Sequence, residues 1–287
     1  MSETVLVAGA SGMLGRQVVA ALQRRGSKVR ALTRAADTLA RAGAKVDEVV
    51  VGDARVGAQA SAAVQGVTAV ISCLGASVQP RLGLGWRGFF AVDTRANTAL
   101  IEAAEAAKVR RFVYVSTLSR AGMEGLAYVR AHEQVAARLR AGALAGTVLR
   151  PTGFFSALGA LVELARGGAL PQIGDGSARS NPIDDGDLAA LCVQALDEPP
   201  GEREVGGPEV LSRRELGALA FAAIGEPPRW RTVPPGAVRT IGALLRPFHP
   251  RLGQLLPFYA AVNTTELIAP QVGRRRIGEY FRELAGR

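Results

Sequence analysis

The residues in this chain best placed by type and spacing to do chemistry are three glycines. They lie in the run Gly9-Ala10-Ser11-Gly12-Met13-Leu14-Gly15. In a strand–turn–helix setting the first glycine permits a sharp turn. The second lets backbone approach a pyrophosphate, and the third lets the helix pack on the strand. The backbone of Ser11, Met13 and Leu14 then opens a helix whose first amides face phosphate charge. A second candidate follows the next apolar run, where Thr33-Arg34 stand with no acid before Asp37. A carboxylate there would hold the ribose hydroxyls of NAD(H). A guanidinium instead pairs bidentately with a 2'-phosphate, which favours NADP(H) over NAD(H). Arg16, just past the third glycine, is a further cationic contact for it. Asp53 ends a later apolar run and is placed to accept from the adenine amino group. Cys73-Leu74-Gly75 end the run after that, with backbone set to pass under the ribose and nicotinamide half.

The elements that must position these residues are legible in the hydrophobic pattern. Residues 4–8 read as a short buried strand, and a helix runs from the glycine turn to about Arg25, stopped by Gly26. Further strands are expected at 28–32, 46–51, 68–73, 111–115 and 147–149, with helices at 92–107 and 126–141. Strand and helix patterns thus alternate up to Pro151, the signature of a doubly wound parallel α/β sheet of the Rossmann type. Asn97, in the first of those later helices, is expected to tie strands together through side-chain hydrogen bonds. After that point Pro and Gly recur between short helices such as 184–197 and 212–224. The expected organisation is a nucleotide-binding core over residues 1–155. A C-terminal portion, 156–287, carries the last core elements and a small, less regular lobe on the substrate side.

These pieces together resemble the atypical short-chain dehydrogenase/reductase superfamily, in particular its NmrA-like, NAD(P)H-binding branch, which includes a respiratory complex I accessory-subunit group. The resemblance rests on GASGMLGR at 9–16, LTR at 32–34, GD at 52–53, RRFVYVST at 110–117, LRPTGFF at 149–155 and PIDDGDLA at 182–189, with VGRRRIGEYF near the C-terminus. In active members a Ser or Thr ends the fifth strand, and a Tyr precedes a Lys by four residues on the next helix. The resemblance places Ser116 first, with Thr117 beside it, Tyr128 second, and His132 at the Lys position. The i,i+4 spacing puts Tyr128 and His132 on one helical face. In the family the Lys holds the nicotinamide ribose and lowers the Tyr pKa, the Tyr acts as general acid or base, and the Ser steadies the substrate oxygen. A neutral imidazole can bond a ribose hydroxyl but has no fixed charge to depress a phenol. Tyr128 is therefore expected to be a poor base, yet already in the form a proton donor needs. The family's stretch after the sixth strand, here Pro151, Gly153 and Phe154, brings backbone toward the nicotinamide carboxamide.

Further candidates are Phe154 and Phe155 as pocket walls or core, and the loop Gly174-Asp175-Gly176 with Arg179 and Asn181 as a substrate contact or a plain turn. Trp86, Phe89 and Phe90 are read as an apolar lid or a hydrophobic anchor. The implied activity is an NADPH-dependent oxidoreductase that reduces a small apolar carbonyl, enone or quinone by hydride transfer. The alternative is an NAD(P)H-binding redox sensor or accessory protein with little or no catalysis. A nucleotide-sugar epimerase or dehydratase leans more on an intact Tyr–Lys pair.

Composition bounds the rest. A chain that is 48% hydrophobic and 21% charged is a folded globular protein. Its formal charge of +10 is spread over scattered arginines, with one short run at Arg274-Arg275-Arg276 and no zinc-finger spacing, so nucleic acid is not an expected partner. Cys73 and Cys192 lie in apolar runs and read as buried thiols; with His132 and His249 the only histidines, no metal site is expected. The opening MSETVLVAGA has no basic-then-apolar leader, and no apolar stretch reaches spanning length, so a cytoplasmic protein is expected. The helices at 92–107 and 126–141 are the candidates to pair in a homodimer.

Overall fold

Short branched runs that cannot stand in water alone pair into a seven-stranded, wholly parallel sheet in the computed structural model, which describes residues 3–41, 43–75, 78 and 88–286. In chain order its elements begin β1 (Thr4–Ala8), α1 (Met13–Arg24), β2 (Lys28–Thr33), α2 (Ala36–Arg41), β3 (Glu48–Val51), α3 (Gly57–Val64) and β4 (Ala69–Ser72). A π-helical turn, Phe90–Thr94, leads into α4 (Arg95–Ala106), followed by β5 (Arg111–Val115), α5 (Ala127–Ala141) and β6 (Ala145–Pro151). Then come α6 (Phe155–Leu158), α7 (Ala160–Arg166), β7 (Leu170–Ile173), β8 (Arg179–Ser180), α8 (Asp185–Gln194) and β9 (Gly201–Val205). The chain closes with β10 (Leu211–Ser212), α9 (Arg213–Ala223), β11 (Trp230–Val233), α10 (Pro235–Leu245), α11 (Pro250–Thr264) and α12 (Ile277–Ala285).

The strand order is β3-β2-β1-β4-β5-β6-β9. It reverses between β1 and β4, so the glycine turn and the Cys73-Leu74-Gly75 end flank the topological switch point where such sheets bind ligands. Alternation along the strands sorts the core into two faces. On one, Val5, Val7, Val113 and Val115 pack with α1 and α8 residues such as Val18, Leu22, Leu188 and Cys192. On the other, Leu6, Phe112 and Tyr114 meet Ala60 and Val64 of α3, Leu100 and Ile101 of α4, and Val135 of α5. The six expected strands are all present. The seventh, β9, has Glu202, Arg203 and Glu204 in its middle; such charged composition marks an edge strand and hides the strand signal. Residues beyond 156 supply both this last strand and α8.

The lobe is built on two two-stranded sheets, β7 with β11 and β8 with β10. Phe155 is buried in its core with Val162, Leu170, Phe221 and Phe281, so it is a packing residue and does not wall a pocket. A further cluster joins α11 to the carboxyl side of the main sheet, with Leu255 and Phe258 against Phe89, Leu118 and Val129. No described helix is long and apolar enough to cross a membrane.

Candidate functional site

The glycine turn is shaped by contact. Gly9 has φ 86, and a Cβ there would lie 2.9 Å from the Cys73 carbonyl oxygen at the end of β4. A Cβ on Gly15 would lie 2.1 Å from the Gly9 oxygen, so α1 can seat on β1 only with glycine at that place. Gly12 caps α1 in extended conformation, and its N–H donates to the Gly9 oxygen at 3.0 Å. The first turn of α1 holds no acid, and Met13 at its start is exposed. This is a cradle of helix-start amides next to a close-packed backbone, and it fits a pyrophosphate.

Thr33 closes β2 with its hydroxyl bonded to the Ala35 oxygen at 2.9 Å, which leaves Arg34 exposed at the sheet's carboxyl edge. Asp53 lies close enough to feel its charge. Arg55 grips the Asp53 carboxylate through Nε at 2.9 and 3.0 Å and through Nη2, and pulls its pKa down to about 2, with Arg34 adding to the effect. Asp53 is thus an ionised, partnered carboxylate beside two guanidiniums. Arg55 was not anticipated from the sequence; its only signal is a spacing of two from Asp53. Arg16 donates to the Met13 sulfur at 2.7 Å. Cys73 is pushed up to about 12 by burial, so its thiol stays protonated. Behind it, buried Asn97 accepts from Ser72 at 2.5 Å and donates to the Asp93 and Leu74 carbonyls, so it ties the end of β4 to the π turn and does not join two strands as expected.

Ser116 follows β5, and Tyr128 and His132 stand together on α5. Ser116 is 2% exposed, and its hydroxyl meets no hydrogen-bond partner among the described residues. His132 is 3% exposed. Its Nδ1 lies 2.6 Å from the Tyr114 hydroxyl, and its Nε2 is buried without a partner. Burial, with the Arg150 charge nearby, lowers the imidazole pKa to about 3, so it is neutral. The arrangement that satisfies both groups has the phenol donating to Nδ1, which puts the ring proton on Nε2. Two buried polar atoms left unpaired cost about 1–3 kcal/mol each unless something bonds them. Ribose or substrate hydroxyls have the matching donors and acceptors.

Tyr128 sits one turn before His132 with ring centroids 4.5 Å apart, edge to face. Phe258 at 4.5 Å and Phe89 at 4.9 Å close round it. Burial raises its phenol pKa above the ordinary range, and the charges of Asp93 and Tyr259 push the same way. Tyr114 is raised likewise by burial and then by Asp93. Asp93 is fully buried on the π turn, and sequence reasoning passed over it because nothing local distinguishes it. Burial lowers the Arg251 pKa, which the Asp93 charge partly offsets, and the Arg251 guanidinium lies 5.6 Å over the Phe89 ring. Arg150 is held by Glu133 and Glu202 across α5, β6 and β9.

Other sequence candidates are placed differently. Asn181 is buried, with its amide donating to Gly207 and Ala269 oxygens and accepting from the Ala269 N–H, so it is not available to a substrate. Asp175 accepts from Ser177 N and Oγ in a plain turn, and Arg179 pairs with Glu266. Phe89 is a buried anchor, not a lid, and Phe90 lies under the Arg130 guanidinium at 5.5 Å; Trp86 lies outside the described residues. Pro151 and Gly153 carbonyls accept from Leu118 and Ile183 N–H, which stitches the Pro151–Phe154 stretch to its neighbours. Phe154 bridges to Ile183. Among the described residues no group of three or more His, Cys, Asp or Glu is placed to hold a metal ion.

A Rossmann sheet, a glycine turn at its switch point, and a Ser–Tyr pair after β5 and on α5 define a nucleotide-cofactor protein of the short-chain dehydrogenase/reductase type, in its atypical, NmrA-like class. The family described as NAD(P)H-binding matches residues 9–199, and the chain belongs to it. It is 32% identical over 256 residues to the divinyl chlorophyllide a 8-vinyl-reductase of Zea mays, covering 80% of this chain and 62% of that protein. To the NAD(P)H azoreductase of Xenophilus azovorans it is 28% identical over 229 residues, covering 79% and 76%. The chain thus spans about three fifths of the vinyl-reductase's length. Among solved structures, the NADPH-dependent quinone oxidoreductase QOR2 of Escherichia coli, complexed with NADPH, superimposes with a TM-score of 0.73. That match covers 98% of this chain and 99% of that one at 19% identity, a likeness of fold.

Proposed function

We propose that the chain is an NADPH-dependent reductase of a small, largely apolar carbonyl, enone or quinone. The observation that carries this reading is the protonation state of the site. Tyr128 is held as a neutral phenol, and His132 as a neutral imidazole, at any ordinary pH. A site without a ready base suits a reaction that consumes a proton, and does not suit alcohol oxidation or epimerisation, which must begin by removing one. When bound, the reduced nicotinamide supplies the hydride. The chain's own part is to orient and to donate. The α1 amides and the glycine turn hold the pyrophosphate. Arg34, with Arg55 nearby, faces a 2'-phosphate, and the absence of an acid at the end of β2 favours NADPH over NADH. The Ser116 hydroxyl and His132 Nε2 bond ribose or substrate oxygen. Tyr128, backed by the buried rings of Phe89 and Phe258, gives the site an apolar side that suits an apolar substrate. Relatives named for reducing a vinyl group, for azoreduction and for quinone oxidoreduction support the same class.

NADPH consumption with a panel of quinones, enones and aldehydes tests the reading. Turnover with at least one class, lost on Tyr128→Phe, is the expected result. The neutral, buried imidazole in place of a lysine favours the second reading, a cofactor-binding sensor or accessory protein. Tight NADPH binding with no turnover across the panel would select it.

A further inference from the structure

α10 packs on α11 through Val238 and Gly242, both buried; a Cβ on Gly242 would lie 2.8 Å from Pro257. A different face of α10 is left in water. Ile241 is 50% exposed, Leu244 67%, and Phe248 in the following turn 71%, with exposed Ala237 one turn before. Spacings of four and three put Ala237, Ile241 and Leu244 on one narrow stripe of a 3.6-residue helix, and Phe248 follows in the turn just past its end. Of the nine large apolar side chains exposed among the described residues, three fall within these eight positions.

The charge around the stripe is one-signed. From Pro227 to Thr265 the chain has Arg229, Arg231, Arg239, Arg246 and Arg251 and no Asp or Glu. Arg251 is buried, and Arg229 lies near Glu226. Arg231, Arg239 and Arg246 are exposed, and none forms an ion pair among the described residues. The α10–α11 segment itself therefore carries positive charge only.

We propose that the α10–α11 hairpin docks the protein on an anionic phospholipid surface, with Ile241, Leu244 and Phe248 entering the boundary between headgroups and acyl chains. An 11-residue helix is roughly 16 Å long, far short of the ~30 Å needed to span, so α10 lies in the plane of the surface. On the helix, Arg239 and Arg246 leave the side away from the stripe. A helix is about 10–12 Å across, close to the ~8 Å screening length of physiological salt, so these charges act through the field and not by contact. An anionic bilayer meets the apolar stripe and the positive field together. The inference does not depend on the chemistry at Tyr128.

Co-sedimentation of the full chain with vesicles tests it, using phosphatidylcholine alone and phosphatidylcholine mixed with phosphatidylglycerol. Binding to the mixed vesicles, weak binding to the neutral ones, and a fall with added salt are expected. The double variant Leu244→Asp, Phe248→Asp should bind the mixed vesicles at least ~10-fold more weakly. The pair Arg239→Gln, Arg246→Gln, which leaves the stripe intact, should weaken binding and flatten its salt dependence. All these side chains are exposed, so melting temperature and NADPH titration should match the parent and separate lost docking from lost folding. The proposal is overturned if the parent chain ignores mixed vesicles at low salt, or if the aspartate variant binds them equally well. It is also overturned if sedimentation velocity shows a dimer that Leu244→Asp splits, since the stripe would then belong to a second copy.

Discussion

Alanine at Gly15 separates cofactor binding from mere folding. Its Cβ would stand 2.1 Å from the Gly9 oxygen, 2.8 Å from the Gly9 carbonyl carbon and 2.9 Å from Ala10 Cα. Non-bonded heavy atoms settle at about 3.5 Å, so α1 and the turn must part by more than ~1 Å. The carbonyl cannot easily swing aside, because the Gly12 N–H holds it at 3.0 Å. Gly9 itself is wedged against the end of β4. Overpacking of this kind costs about 1–3 kcal/mol, which for a chain of this size lowers Tm by roughly 2–10 °C. The same displacement carries the first amides of α1 away from the pyrophosphate. Loss of a single charge-assisted hydrogen bond, about 1.5–3 kcal/mol, weakens binding by roughly 10- to 100-fold. Leu22→Ala is the control: a fully buried side chain on the same helix, worth about 2–5 kcal/mol when truncated, but remote from the turn. Thermal melts and NADPH fluorescence titrations should show both variants melting lower, and only Gly15→Ala losing affinity at a temperature where both are folded. Equal affinity in the two variants would refute the claim that the α1 amides hold the cofactor.

Arg34→Ala should weaken NADPH binding by about 10-fold or more and leave NADH nearly unchanged, read by titration of each; a parallel loss for both would remove the 2'-phosphate from the argument. Tyr128→Phe should lower turnover by about 10²–10⁴-fold with NADPH affinity preserved, measured as kcat beside a binding titration. His132 gives a stability prediction. Its pKa falls from 6.5 to about 3 on folding, so below pH 6.5 the unfolded chain takes up the proton that the folded site refuses. Its contribution is therefore complete above pH 6.5 and is lost as the pH falls toward 3, by a few kcal/mol at the order-of-magnitude level. Urea melts across that range should show a shallower acid slope in His132→Gln than in the parent chain, and identical slopes would contradict the assignment.

The parallel sheet was legible because its strands are buried on both faces, and short branched runs such as Thr4–Ala8 and Arg111–Val115 have few other uses. The glycine turn was legible because the Gly12 and Gly15 contacts fall on Gly9 and Ala10, within seven residues, while Gly9's own contact with the end of β4 is distant. What could not be read depends on contacts between distant segments. Tyr114 and His132 meet across a strand and a helix, and the alternation of β5 says only that Tyr114 faces α5, not that its hydroxyl finds a ring nitrogen. Asp93 gains its importance from a π turn, and no pattern in Phe90–Thr94 announces one. The loop at Gly174–Gly176 was open to two readings, and Asn181 decides for the structural one because its amide is spent on Gly207 and Ala269, residues no local rule connects to it. β9 escaped because its central residues are charged, which suits the edge it occupies.

The imidazole at 132 is more than a weakened lysine, because the surroundings have changed with it. An ammonium at that buried position would need a counter-charge. The cation already nearby, Arg150, is itself held by Glu133 and Glu202, and its field disfavours a second positive charge. Tyr114 gives Nδ1 a partner that an ammonium, with donors only, would use differently. Restoring lysine alone would therefore not restore a fixed positive charge beside Tyr128: burial and Arg150 would both push it toward the neutral amine. A neutral amine would no more depress the Tyr128 phenol than the imidazole does. The residues around 132 are thus mutually consistent with a site that keeps its protons. On the proposed reading, such a site would donate a proton to the oxygen left negative when hydride adds to a carbonyl carbon, or to the enolate formed by conjugate addition, and would lack a group ready to begin the reverse reaction at neutral pH.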